Sequence, residues 1–187
     1  MPPLSVRADV GSIDADARTV SLIFSTGAAV TRSDPWSGKQ YREVLSLDPK
    51  HVRLERMNAG APLLDGHAGW SVGDVLGAVE PGSARLEKGK ATATVRFSRR
   101  DAVEPVFQDV RDGILRSVSV GYRVQRFEDT GEARDGYPVM LATRWVPFEI
   151  SMVPMGADAG ARVQLGAHQA VRWHGQVGRR HGAGRLR

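Results

Sequence analysis

The chain contains no cysteine. That absence removes disulfides, thiolate metal sites and a cysteine nucleophile together. No stretch of apolar residues is long enough to span a bilayer, so no membrane partner is expected. The N-terminus, Met1-Pro2-Pro3-Leu4-Ser5-Val6-Arg7, lacks a basic segment followed by an apolar one, so no secretory signal is expected and a cytoplasmic protein is the simplest reading. The motifs H-E-x-x-H, the P-loop and the EF-hand are missing, and no two histidines of the body have metal-ligand spacing. Neither a cofactor nor a metal is expected.

What is present is an ordinary globular composition. The 187 residues are 41% hydrophobic and 25% charged, enough for one domain with a real core. The formal net charge of +5 is not spread over that domain. From Arg162 onward the chain carries six arginines and no carboxylate, which leaves 20 basic against 21 acidic residues in the body. Such a tail would bind nucleic-acid phosphate non-specifically, but the simpler expectation is a disordered, solvated end. The expected division is therefore a folded domain over 1–163 and a basic tail over 164–187.

Alternation predicts most of the elements. Val6, Ala8 and Val10, then Val20, Leu22 and Phe24, predict a hairpin turning at Asp14–Asp16. Residues 27–39 read as a loop, and Arg42–Leu47 as a short strand. Asp48-Pro49 predicts a helix start and Gly60 its stop. Strands are expected over Pro62–Asp65, Val72–Val79 and Ala91–Phe97. Asp101 and Glu104 form a capping-box pattern for a helix whose Val103, Val106, Phe107 and Val110 share a face, ended by Gly113. A strand over Ser117–Val124 sends Val118, Val120, Tyr122 and Val124 one way and Ser117, Ser119 and Gly121 the other. A polar turn over Glu128–Gly136 and two short strands, Pro138–Trp145 and Phe148–Val153, follow. The pattern implies an α+β protein on a mainly antiparallel sheet or barrel.

Of the five histidines, His67 alone combines an apolar lead-in, Ala61-Pro62-Leu63-Leu64, with flanking glycines, Gly66 and Gly69. A loop so anchored would present a proton acceptor rigidly. His51 sits in the predicted helix start, and His168, His174 and His181 lie in the tail. With no thiol, a nucleophile must be Ser or Thr. Ser117 and Ser119 share a strand face, and periodicity does not choose between them. Gly121, next on that face, would let a peptide backbone approach closely. Glu149 and Ser151 project together from a strand whose Phe148, Ile150 and Met152 are apolar. Glu149 would orient His67, with Asp65 and Asp74 as competing carboxylates. The serine context is not G-x-S-x-G and lies in a strand, which argues against an α/β-hydrolase esterase.

Three segments in order resemble the tailed-phage prohead maturation proteases. They are Ala61-Pro62-Leu63-Leu64-Asp65-Gly66-His67 followed by Val75–Val79; Gly113 to Tyr122, containing Ser119-Val120-Gly121-Tyr122; and Trp145-Val146-Pro147-Phe148-Glu149-Ile150-Ser151-Met152-Val153-Pro154. The resemblance implies a herpesvirus-protease-like β-barrel flanked by helices, with His67 as base, Ser119 as nucleophile and Glu149 as the acidic third member. It further implies a serine endopeptidase acting inside the prohead in the host cytoplasm, with the major capsid protein and the scaffold as substrates, and leaves room for a homo-oligomer. The alternative in the same fold is an inactive capsid-assembly or scaffold-binding module.

Overall fold

A computed structural model describes residues 13–164. The chain runs through β1 (Ile13–Asp14), β2 (Thr19–Ser25), β3 (Val30–Ser33), β4 (Gln40–Leu45), α1 (Glu55–Asn58), β5 (Pro62–Asp65), β6 (Val75–Val79), β7 (Arg85–Glu87), β8 (Lys90–Phe97), α2 (Glu104–Arg111), β9 (Val118–Arg134), β10 (Tyr137–Met152) and β11 (Arg162–Val163). The strands form one curled sheet in the order β1-β2-β8-β6-β5-β10-β4-β3, with β11 on β2, β7 on β8 and β9 on β10. The β-rich α+β expectation holds at that level. Among the described residues pairing is mainly antiparallel, and the exceptions are the parallel contacts of β10 with β4 and β5 and an isolated parallel bridge between Val52 and Trp145.

The two ends of the curl are tied together by a short bridge. Ser117 pairs with Arg162, the Val118 N–H donates to the Ala161 carbonyl at 3.2 Å, and the Val163 N–H to the Arg116 carbonyl at 2.9 Å. Because β11 also pairs with β2, the contacts run in a ring through β2, β8, β6, β5, β10, β9 and β11. Leu22, Phe24, Leu63, Val95, Phe97, Trp145 and Ile150 belong to one buried core cluster. Trp145 is fully buried, and its indole N–H donates to the Ser46 carbonyl at 2.8 Å, which removes the cost of burying that polar group.

Helix α2 follows its sequence closely. Val103, Phe107 and Val110 are buried, and Phe107 stacks at 5.4 Å on Phe97. The Ile114 and Gly113 N–H groups bond back to the Asp109 and Val110 carbonyls, with Gly113 at φ 74°. This is the Schellman stop that a glycine allows without steric penalty. The capping box does not form. No side chain caps the helix, and the Glu104 carboxylate instead bonds Arg18 and Gln108.

Three other local expectations are corrected. The Asp48-Pro49 helix shrinks to α1, because Val52 bridges to Trp145 and the Arg53 N–H donates to the Trp145 carbonyl at 3.0 Å. Tertiary pairing overrides the local start signal. The polar turn and two short strands are instead the long ribbon β9–β10, which turns only at Asp135 and Gly136, φ 50° and 80°. Two left-handed residues in an Asp-Gly pair match a type I′ hairpin turn. The loop expected over 27–39 holds β3, paired with β4. The predicted strand at Val6–Val10 and the tail beyond Gln164 lie outside the described residues.

Candidate functional site

Strand β5 lies parallel to β10, with Leu64 opposite Ser151. It ends in a tight turn. The Gly66 N–H donates to the Met152 carbonyl at 3.0 Å, and the Ala68 N–H to the Asp65 carbonyl at 2.8 Å. Gly66 and His67 both have positive φ, 55° and 66°. A histidine in this left-handed region is uncommon and marks a position held by its surroundings. The hold is visible. The His67 N–H donates to Ser151 Oγ at 3.1 Å, and His67 Nδ1 lies 2.7 Å from Glu149 Oε1.

Glu149 is buried on β10 and has both carboxylate oxygens engaged. Oε1 meets His67, and Oε2 accepts the Ser151 hydroxyl proton at 2.7 Å. Glu149 is therefore not a solvated strand residue but part of a buried polar network. With Glu149 accepting, the proton of this bond is assigned to Nδ1, and in that tautomer Nε2 is the acceptor. The His67 side chain is 45% exposed, so that acceptor is open to the cleft.

The register of β9 against β10 places Ser119 opposite Ser151 and Gly121 opposite Glu149. All four project from one face of the ribbon. A Cβ on Gly121 would lie 2.1 Å from Glu149 Oε1 and 2.7 Å from its Cδ. The missing side chain makes room for the Glu149 carboxylate. It does not make the opening for a ligand backbone that the sequence suggested. Ser119 and Ser117 separate at this stage. Ser119 lines an open cleft of about 840 Å³ with His67, Glu149, Leu64, Phe148 and Met155. Ser117 instead pairs with Arg162 at the ring closure. No hydrogen bond joins Ser119 to His67 among the described residues.

The competing carboxylates are elsewhere. Asp74 caps the short turn Val72–Asp74, accepting the Trp70 and Ser71 N–H groups at 2.9 and 2.8 Å. Asp65 is exposed at the end of β5. His51 bonds Ser46, and the three tail histidines lie outside the described residues.

A second polar cluster went unrecognised in the sequence. The Tyr122 hydroxyl donates to buried Glu43, and Arg32 bonds both, at 3.2 Å to Glu43 and 2.9 Å to the Tyr122 oxygen. Burial, then the bond to Glu43, pushes the Tyr122 hydroxyl up to about 12. The only sequence signal was a carboxylate, Glu43, next to the apolar Val44-Leu45 end of a strand. Among the described residues no cluster of three or more His, Asp or Glu could hold a metal, and no helix is long and apolar enough to cross a membrane.

Chemically, an imidazole anchored to a buried carboxylate can accept a hydrogen bond from a hydroxyl or a main-chain amide entering the cleft. No family model and no solved structure matches the chain. Over 117 residues, 62% of its length, the chain is 40% identical to the major capsid protein of Halomonas phage phiHAP-1, and the match covers 19% of that relative. The relative is named for a structural protein of the capsid, not for a protease. This overturns the prohead-protease resemblance, and the serine endopeptidase and enzyme assignments are withdrawn with it. The inactive or scaffold-binding alternative gains no support either. The likeness supports the coarser expectation, a phage capsid and virion-assembly context for this chain.

Proposed function

We propose that the chain is a structural module of a phage capsid polypeptide, residing in the assembling capsid in the host cytoplasm. The observation that carries this is the 40% identity to a phage major capsid protein over 62% of the chain. The fold is suited to the role. A tied ring of strands around one core gives a stiff body, and the cleft on it offers a surface for another polypeptide. We assign His67, Ser119 and Glu149 as the working groups of that cleft. Glu149 and Ser151 lock His67, and His67 with Ser119 presents hydrogen-bonding atoms to an incoming capsid segment. The partner in this reading is capsid polypeptide.

The test is co-expression of the chain with a phage major capsid protein, followed by sedimentation of the assembled shells. The chain is expected in the shell fraction at a fixed ratio to the capsid protein. A chain that stays in the soluble fraction overturns the proposal. So does capsid polypeptide that is shortened by wild-type chain and left intact by Ser119→Ala, which would restore a catalytic role.

A further inference from the structure

The ring of strands has a seam. Among the described residues, β11 pairs with β2 at Leu22 and Ile23, the Gln164 N–H donates to the Ser21 carbonyl at 2.9 Å, and the bond from the Val118 N–H to the Ala161 carbonyl is the last between β9 and this side. Beyond it the chain on the β2 side turns away, its Thr26 N–H taken by the Asp158 carboxylate at 2.6 Å. From Ser119 to Arg134, β9 pairs with β10 alone among the described residues. Its outer edge, whose outward main-chain groups begin at Val120 and recur at Tyr122 and Val124, therefore presents donors and acceptors without a strand partner.

A small pocket of about 40 Å³ opens in this seam beside Ser119. Its walls are mainly apolar: Phe24, Ala28, Val30, Leu45, Val118 and Ala161. The charged groups around it already have hydrogen-bond partners within the fold. Arg32 pairs with Glu43, and Asp158 is taken up by Thr26 and the Gly160 N–H. A long charged side chain entering here would lose its water among mainly apolar walls whose polar atoms are already hydrogen-bonded. The volume holds roughly three water positions, which suits a small aliphatic side chain and excludes an aromatic one.

We propose that the seam docks an extended segment of capsid polypeptide, which adds a strand to the outer edge of β9 and seats a small aliphatic side chain in the pocket beside Ser119. Main-chain bonds along the edge would supply affinity and the pocket would supply selection, the division of labour in strand addition. Only the source of the segment rests on the capsid reading; the edge and the pocket stand on the fold.

The experiment uses the full chain, labelled with nitrogen-15, and blocked threonine-rich hexapeptides carrying Ala, Val, Phe or Lys at one central position. The Ala and Val peptides should move the amide signals of Val120, Tyr122 and Val124 and bind about tenfold or more tighter than the Phe and Lys peptides, a difference near 1.4 kcal/mol. N-methylation of alternate peptide residues should abolish binding. Ala28→Leu, at an exposed position on the pocket wall, should abolish it by filling the pocket while leaving the fold intact. No signal change up to about 1 mM peptide, the weak end of the affinity scale, overturns the proposal. Equal binding of all four peptides, or Ala28→Leu binding as wild type, overturns it too. These outcomes are independent of shell sedimentation, so failure here and failure of the capsid reading are told apart.

Discussion

Gly121 exists for Glu149: a Cβ on the glycine would sit 2.1 Å from Glu149 Oε1, the oxygen that lies 2.7 Å from His67 Nδ1. One methyl group on β9 therefore acts on a histidine carried by the loop after β5. Gly121→Ala should push the carboxylate off His67, remove the imidazole proton signal of that bond in NMR spectra, and cost about 1–3 kcal/mol from overpacking. Ser117→Ala, at the ring closure, should stay within about 0.5 kcal/mol of wild type in urea melts. An unchanged His67 signal in Gly121→Ala would show that Glu149 has another place to go.

Breaking the pair from the other side should cost the fold a similar amount and free the loop. His67→Ala leaves buried Glu149 with Ser151 alone, an under-satisfied carboxylate worth about 1–3 kcal/mol. Amide exchange in residues 66–74 should speed up in that variant. Equal protection in variant and wild type would mean that the loop is held by its main-chain bonds to Asp65 and Met152 and not by the ring.

The Tyr122–Glu43–Arg32 cluster makes a signed pH prediction. Tyr122 ionises at about 12 in the folded chain against an ordinary value of 10.0, chiefly through burial. The folded state thus holds the proton more tightly than the unfolded one. The stabilisation is complete below about 10 and is lost as pH rises toward about 12. Two pH units correspond to about 2.7 kcal/mol, and partial exposure of the ring reduces this to about 1–2 kcal/mol. The difference in urea midpoint between wild type and Tyr122→Phe should shrink over that interval. A constant difference would mean that the Tyr122 hydroxyl stays solvated in the folded chain.

Truncation separates the body from the tail. Ending the chain at Ala161 removes β11, whose Val163 is 1% exposed and whose N–H bonds Arg116. That variant should lose several degrees of melting temperature, because ring closure between β2 and β9 goes with it. A chain ending at Gln164 should melt like the full one. Equal melting of both truncations would make the bridge at Ser117–Arg162 dispensable.

These cases show what the residues declared and what they hid. The alternation of Val20, Leu22 and Phe24 and the face of Val103, Phe107 and Val110 were readable because burial there follows local periodicity. His67 stood out because apolar residues lead into it and glycines flank it. The preference for Ser119 over Ser117 was not readable from alternation, since both share a face; it needed the register of β9 on β10. The length of that ribbon was hidden because its outer half, Gln125–Arg134, is exposed and polar, and only the Asp135-Gly136 pair signalled a hairpin. The helix at Asp48 failed because Val52 pairs with Trp145, more than ninety residues on. The β2–β9 bridge and the Glu43 cluster are long-range contacts with no local signature.

The central claim is that this chain is a built-in part of a phage capsid, and electron cryo-microscopy of shells assembled in its presence tests it most directly. The account predicts density matching residues 13–164, repeated with the symmetry of the shell, with a neighbouring polypeptide segment in the cleft beside Ser119 and His67. Shells that form without any such density, from capsid polypeptide shortened only when Ser119 is intact, would contradict it.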